Sequence, residues 1–349
     1  MKKWLSFLIC AMMVFSLTAC GGSAQPSSSA ASTETAARTE STASTNDAGS
    51  SDALIVVGYA QVGAESDWRT ANTKSFQEFF VPANGYDLKF VDGQNDQSRQ
   101  IAAIRDFIAQ EVDYIVLAPV VETGWEAVLQ EAKDAGIPVV LSDRMVDVTD
   151  DSLYMAWVGG DFKLEGVRAM EWLESYLADQ GRSDEAINIV HLQGTIGASA
   201  QIGRTEGIFE GVDANPNFTI LESQTGDFTQ ALGQEVMESM LKAYADIDVV
   251  IAENDNMAFG AIDAIKAAGK VPGEDIIIIS FDAVHEAFER MIAGELNCAV
   301  ECNPLHGPRV GDIIQTLERG ETISNKIWYV DEGVFDQSNA ASELPSRMY

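Results

Sequence analysis

Histidine and cysteine are scarce in this chain and positive charge is heavily outnumbered; each shortage closes off a class of function. The three histidines, His191, His285 and His306, stand far apart without the spacing of metal ligands, so no metal site is expected. Of four cysteines, Cys10 and Cys20 fall at the start of the chain, and only Cys298 and Cys302 remain in its body. Residues four apart on one face of a strand are about 13 Å distant, beyond the reach of a disulfide, so this pair is expected to be two buried small hydrophobes. Lys and Arg number 22 against 54 Asp and Glu, a formal net charge of −32. Such a body repels a phosphate backbone, which excludes nucleic acid as a partner, and it does not adhere to anionic lipid by charge. No G-x-G-x-x-G follows the first predicted strand, no P-loop is present, and no Ser or Cys nucleophile is paired with a His. Neither an enzyme nor a bound cofactor is expected.

What the chain does have begins with an export pattern. Met1-Lys2-Lys3 precede an apolar run over 4–17, shorter than the roughly 20 apolar residues a permanent membrane helix needs, and small residues follow it. Leu17-Thr18-Ala19-Cys20 resembles the lipobox of bacterial lipoproteins. That resemblance implies removal of a signal peptide, residues 1–19, and lipidation of Cys20, which then anchors the chain to a membrane that it does not span. An ordinary signal peptide with an incidental Cys is the plainer alternative. Residues 20–53 read as a tether, because Ser, Thr, Ala and Gly predominate and no apolar periodicity offsets the entropy of ordering. A linker of this kind has a typical end-to-end distance of about 30 Å and a ceiling near 110 Å, enough to hold a globular body clear of a membrane.

The roughly 295 residues that remain exceed one comfortable hydrophobic core, so two lobes are expected. Short β-branched runs alternate with amphipathic stretches: strand 54–60, helix 72–80, strand 87–91, helix 97–110, strand 113–118, helix 124–134 and strand 137–141. A second series runs as helix 162–176, strand 187–192, helix 199–212, strand 219–223, helix 228–244, strand 249–252, helix 257–267, strand 276–280 and helix 286–293. Strands that read as continuous Val, Ile and Leu are buried on both faces, as in a parallel sheet covered by crossover helices. The fold class is therefore α/β, with two doubly wound, Rossmann-like lobes. Beyond Cys298, one strand, a helix over 307–318 and a strand near 327–330 are too little for a third domain and must complete the two lobes.

In open parallel sheets, ligands sit outside the carboxyl ends of the strands. The residues at those positions are 61–69, 119–125, 143–144, 194–204, 226–228, 253–256 and Asp282. They are rich in planar polar side chains and aromatics. Asp, Asn and Arg offer paired donors or acceptors in one plane, which suits vicinal hydroxyls, while a Trp or Phe ring covers the C–H face of a sugar. Trp68, Asp143, Arg144, Arg204, Phe228, Asn254 and Asp282 supply that kit. Each also has a duller reading. Trp68 can fill core, Asp282 can cap the following helix, Asn254-Asp255 can cap a helix from Met257, and Asp143-Arg144 can be a surface ion pair.

The segments GYAQVGAESDWR at 58–69, APVVETGW at 118–125 and IPVVLSDR at 137–144 resemble the pentose and hexose binding proteins of ABC importers, the galactofuranose-binding branch above all. LQGTIGAS at 192–199, QTGDFT at 224–229, ENDNM at 253–257 and ISFD at 279–282 extend the likeness, which runs from about 54 to 329. The resemblance implies the type 1 periplasmic binding protein fold, with a three-strand hinge crossing near Gly159-Gly160, near Cys302-Asn303 and around Ile327. The first lobe is then 54–159 plus 303–327, the second 160–302 plus 328–349, and the late helix belongs to the first. It further implies sugar contacts from Trp68, Arg69, Asp143 and Arg144 in the first lobe and from Arg204, Phe228, Asn254 and Asp282 in the second. Phe162 stands where relatives often have Asn, Ala283 where Gly is usual, and Cys302 where ribose binders place a contacting Gln, with Glu301 as the nearest replacement.

On this reading a monosaccharide binds one lobe, the lobes close, and contacts to both stabilise the closed state. The partners implied are an ABC permease with its cytoplasmic ATPase and, through the lipid, the extracytoplasmic face of the cell membrane; the protein itself is expected to be a monomer. A sensor that reports a sugar to a membrane kinase is the alternative. A sugar-responsive repressor is excluded by the export signal and the lack of a basic DNA-binding head.

Overall fold

Apolar runs without polar alternation build two six-stranded sheets. The structure is a computed structural model and describes residues 53–349; the export signal, Cys20 and the tether through residue 52 lie outside the described residues. The first sheet contains β1 (Ile55–Gln61), β2 (Tyr86–Asp92), β3 (Tyr114–Leu117), β4 (Val139–Ser142), β5 (Ala156–Gly159) and β11 (Ile327–Tyr329). Their order is β11-β5-β4-β3-β1-β2, and every neighbouring pair is parallel. Both faces are covered. On β3, Tyr114 and Val116 join Phe76, Phe80 and Val310 on one side, while Ile115 and Leu117 turn to Trp125 and Leu129 on the other. The period of two along each strand sends alternate residues into two separate layers of core, which is why no polar alternation was visible.

The second sheet contains β6 (Ile187–Gln193), β7 (Phe218–Thr225), β8 (Val249–Ala252), β9 (Ile277–Asp282), β10 (Cys298–Glu301) and β12 (Val334–Asp336), in the order β12-β10-β9-β8-β6-β7. All pairs are parallel except β12, which runs antiparallel to β10 at the edge. Helices α1 (Asp67–Phe79), α2 (Gln97–Ala109), α3 (Glu126–Asp134) and α9 (Gly307–Glu318) serve the first sheet, and α9 packs on α1. Helices α4 (Phe162–Asp179), α5 (Ser199–Ala214), α6 (Gln230–Ala243), α7 (Asp255–Ala267) and α8 (His285–Ile292) serve the second. The described residues, 53–349, form one compact unit. Among the described residues, no helix is long and apolar enough to cross a membrane.

The chain passes between the sheets three times: after β5, between β10 and α9, and between β11 and β12. The third passage lies later than the expected change of lobe at 327/328, because Ile327, Trp328 and Tyr329 pair with Trp157, Val158 and Gly159 of the first sheet. Two further differences bear on the site. Helix α1 begins five residues before the expected start at 72, because the Ser66 hydroxyl caps it by accepting the Arg69 amide at 3.1 Å. Helix α6 begins after Phe228: Asp227 and Phe228 hold left-handed φ angles of 50° and 60°, and Thr229 provides the cap. Cys298 and Cys302 are buried free thiols.

Candidate functional site

The strand ends of both sheets converge on one narrow cleft. Trp68, Arg69, Asp143, Arg144, Arg204, Phe228, Asn254 and Asp282 all line it, joined by Glu65, Ser66, Ala200 and Cys302. The early start of α1 is what brings Trp68 and Arg69 there, on its first turn. Trp68 does more than fill core: its indole N–H donates to the Cys302 carbonyl at 2.6 Å, and its ring borders the cleft, edge-on to His306.

On the first-lobe side, two carboxylates interleave with two guanidiniums. Arg69 donates to Glu65 at 2.9 Å and to Asp143 at 2.6 Å. Arg144 donates to the Val120 carbonyl at 2.8 Å and reaches Glu65 at 3.5 Å. Asp143-Arg144 is therefore not a surface pair; all four side chains are about 3–4% exposed. Burial works against the charge on Arg69, but Asp143 and Glu65 outweigh it and hold the pKa above its ordinary value. Arg144 is brought down to about 10 by burial and by the neighbouring Arg69. Burial would raise Asp143, yet Arg69 and Arg144 keep it below the usual carboxylate range.

On the second-lobe side, Arg204 donates to Glu165 at 2.7 Å, to the Glu253 carbonyl, and to Asp282 at 3.2 Å. Its guanidinium lies over the Phe281 ring at 4.9 Å and the Phe162 ring at 5.7 Å, so Phe162 supports the site from below and does not line it. Burial pushes the Asp282 carboxyl well above its ordinary range, with Asp255 and Glu165 adding to the effect against the pull of Arg204. The helix-cap reading of Asp282 does not hold: α8 has no side-chain cap, and the Val284 amide donates instead to Asp255 at 2.7 Å. Asn254 does cap α7, accepting the Met257 amide at 2.9 Å and donating to the Phe228 carbonyl at 3.0 Å. Its place in the cleft and its role as a cap coexist.

Three lining residues sit at left-handed backbone angles that disfavour side chains: Asp143 at φ 62°, Phe228 at φ 60° and Asp282 at φ 100°. Such residues cost about 1–3 kcal/mol each and persist only where the surroundings over-determine them, commonly at ligand clamps. Phe228 is further fixed by Gly194, whose Cα the ring covers so closely that a Cβ there would fall inside the ring.

Glu65 and Cys302 were not foreseen as lining residues. Glu65 stands four residues before Arg69, the spacing of a helical ion pair, which was the available signal. Glu301 is not in the cleft lining; its carboxylate accepts the Gly333 amide at 2.8 Å and bonds Arg347 and Tyr349. Below the cleft, donor atoms of Cys302, Glu165 and Glu332 lie within 4.8 Å of one another. Burial raises all three pKa values, Glu332 to about 10 with Glu165 adding to it, so Glu332 holds a proton at neutral pH. His306 accepts or donates at 3.0 Å to Ser142 and is pushed down to about 4 by burial, hence neutral.

The periplasmic binding protein domain family matches residues 57–306. The chain belongs to that family. This periplasmic binding protein is 43% identical over 298 residues to a galactofuranose-binding protein of Escherichia coli, covering 84% of this chain and 92% of the relative. A Mycobacterium smegmatis protein solved in complex with β-D-fucofuranose is 48% identical with a TM-score of 0.81, over 85% of this chain and 96% of that one. The periplasmic component of an arabinose ABC transporter from Shewanella sp. ANA-3, bound to α- and β-L-arabinofuranose, is 44% identical with a TM-score of 0.79, over 84% and 95% of the two chains.

Proposed function

We propose that this protein is the extracytoplasmic solute-binding component of an ABC sugar importer, closing on one uncharged hexose or pentose, of galactofuranose-like furanose form, and delivering it to the permease. The observation that carries the reading is a charge-compensated cleft between two rings. Glu65 and Asp143 balance Arg69 and Arg144, and Arg204 pairs with Glu165 and Asp282, so a charged ligand would leave a buried charge without a partner. Glu65 Oε2 and Arg144 Nε are buried and have no hydrogen-bond partner among the described residues, an acceptor and a donor left for hydroxyls. Trp68 and Phe228 supply apolar faces for ring C–H groups. The lining is two rings and a few convergent planar polar groups, the composition of a site that orients one small polar ligand. The relatives named for galactofuranose, fucofuranose and arabinofuranose support the furanose form.

The eight residues from Trp68 to Asp282 then act as the ligand contacts, and the first and second lobes as the two jaws. Cys20 carries the lipid that keeps the protein at the outer face of the membrane, and the acidic body suits a permease with basic docking residues. The protein works as a monomer and binds its sugar without chemical turnover. Calorimetry tests the site: Trp68→Ala and Asp282→Ala should each abolish sugar binding that the parent shows, and unchanged affinity in both removes the assignment. Native mass spectrometry of the purified protein identifies any sugar it carries.

A further inference from the structure

Asp282 does not hold its position alone. Asp282 ends β9 and Ala283 follows it, at φ 100° and 58°, two consecutive side-chain-bearing residues in the left-handed region. A conformation of that kind relaxes unless neighbouring groups enforce it. The enforcing groups come from the far end of the sequence. The Arg347 guanidinium donates to the Ala283 carbonyl at 3.0 Å, and the next amide but one, that of His285, donates to the Tyr349 carbonyl at 2.7 Å. The strained pair is thus gripped on its outer side by residues 347 and 349.

Arg347 is itself locked. Its guanidinium lies 4.9 Å from the centres of the Phe288 and Phe335 rings and 4.6 Å from that of Tyr349, and it bonds the Glu301 carboxylate at 2.8 Å. The Tyr349 hydroxyl donates to the same Glu301 oxygen at 2.6 Å, while the other Glu301 oxygen accepts the Gly333 amide at 2.8 Å. Glu301 ends β10, the strand from which the chain leaves for α9, and Gly333 lies in the passage from β11 to β12. One terminal nitrogen of Arg347 therefore joins the Asp282-Ala283 bend to Glu301 and, through it, to two of the three passages between the lobes. The flat guanidinium face beside three rings is what an ammonium would lack.

We infer that Arg347, with Tyr349 and Glu301, is a positioning clamp: it touches no ligand, holds Asp282 in its ligand-facing conformation, and ties that conformation to the hinge. The inference rests on the proposed role of Asp282 in the sugar site. Its signature is an epistasis that a merely structural residue would not give. A glycine at 283 adopts the left-handed angle without strain, so it should make the clamp partly dispensable.

The experiment measures binding of L-arabinose and D-galactose by calorimetry, with thermal melting alongside, for the parent, Arg347→Ala, Ala283→Gly and the double variant. Arg347→Ala should bind about tenfold or more weakly, Ala283→Gly within about threefold of the parent, and the double variant should recover most of the loss. Equal affinity of Arg347→Ala and the parent overturns the clamp, as does a loss that the glycine leaves untouched. Absence of binding by the parent itself would instead sink the proposed function. Should Arg347→Ala fail to fold, Arg347→Met keeps an unbranched side chain among the rings and loses every donor; it should bind several-fold more weakly, and parental affinity there overturns the proposal as well.

Discussion

Replacing Gly194 with alanine adds one methyl group and should cost this protein most of its ligand affinity. Gly194 follows β6, where its amide donates to Glu253 at 2.7 Å and its carbonyl accepts the Thr225 hydroxyl at 2.7 Å, so the backbone is pinned from both sides. Its φ is an ordinary one that alanine accepts, which leaves sterics as the only effect. The new Cβ would fall inside the Phe228 ring, and ordinary contact begins at 3.4 Å, so the ring must retreat by more than an ångström. Asp227 and Phe228 are already strained, and the Arg144 guanidinium, which also lines the cleft, stands 5.2 Å from the ring centre, so a shift of the ring disturbs the cleft lining. Overpacking of this kind costs about 1–3 kcal/mol. Expressed in the bound state, that is roughly a 5- to 150-fold weaker dissociation constant. Calorimetric titration with the sugar the parent binds is the assay, and combining Gly194→Ala with Phe228→Leu should give less than the sum of the two losses, since both act on one ring. Parental affinity and binding enthalpy in Gly194→Ala would refute the argument.

Four further outcomes are expected. Glu332 is held protonated up to about 10 in the folded protein against an ordinary value of 4.5, so its favourable contribution is complete below 4.5 and is lost as pH rises toward 10. Glu332→Gln removes that dependence, and its melting temperature should overtake the parent's by a margin that widens between about pH 5 and pH 9; a constant margin contradicts the assignment. Asp143→Asn strips the compensating charge from Arg69 and Arg144 and should lower urea stability by about 3–5 kcal/mol, as loss of one member of a buried ion pair does; a change below about 1 kcal/mol would show the network to be solvated. The parent's own Asp143 contribution, from a depressed pKa, should be present above the ordinary carboxylate range and fade as pH falls through the depressed value. Asn254→Ala should cost about 1 kcal/mol through the lost cap of α7, measurable by denaturation without ligand.

The sheets were legible because their residues are buried on both faces. Runs such as Tyr114–Leu117 and Val249–Ala252 carry no polar member, and short apolar runs spaced by amphipathic helices leave little choice but a covered parallel sheet. The site was legible for a related reason: in such a sheet the loops after the strands share one end, so residues distant in sequence could be assembled before any coordinates were known. What escaped notice depends on single hydrogen bonds or on long-range pairing. The start of α1 turns on the Ser66 hydroxyl, and Glu65 looks like one acid among many until Arg69 and Arg144 close around it. Strand β12 and residues 347–349 have no periodicity to betray them; β12 has three residues, and Arg347 reveals its place only through rings and carbonyls contributed by other elements. The change of lobe was set too early because β11 pairs with β5, a register no local pattern encodes.

Because β11 returns to the first sheet and β12 to the second, neither half of the molecule is a single unbroken stretch of chain. A cut after Gly159 would leave the amino-terminal piece without its outermost strand and without α9, and the other piece would keep both as orphans. Melting should therefore be one cooperative event for the whole body, and a nascent chain cannot finish its first jaw until the ribosome has passed Tyr329.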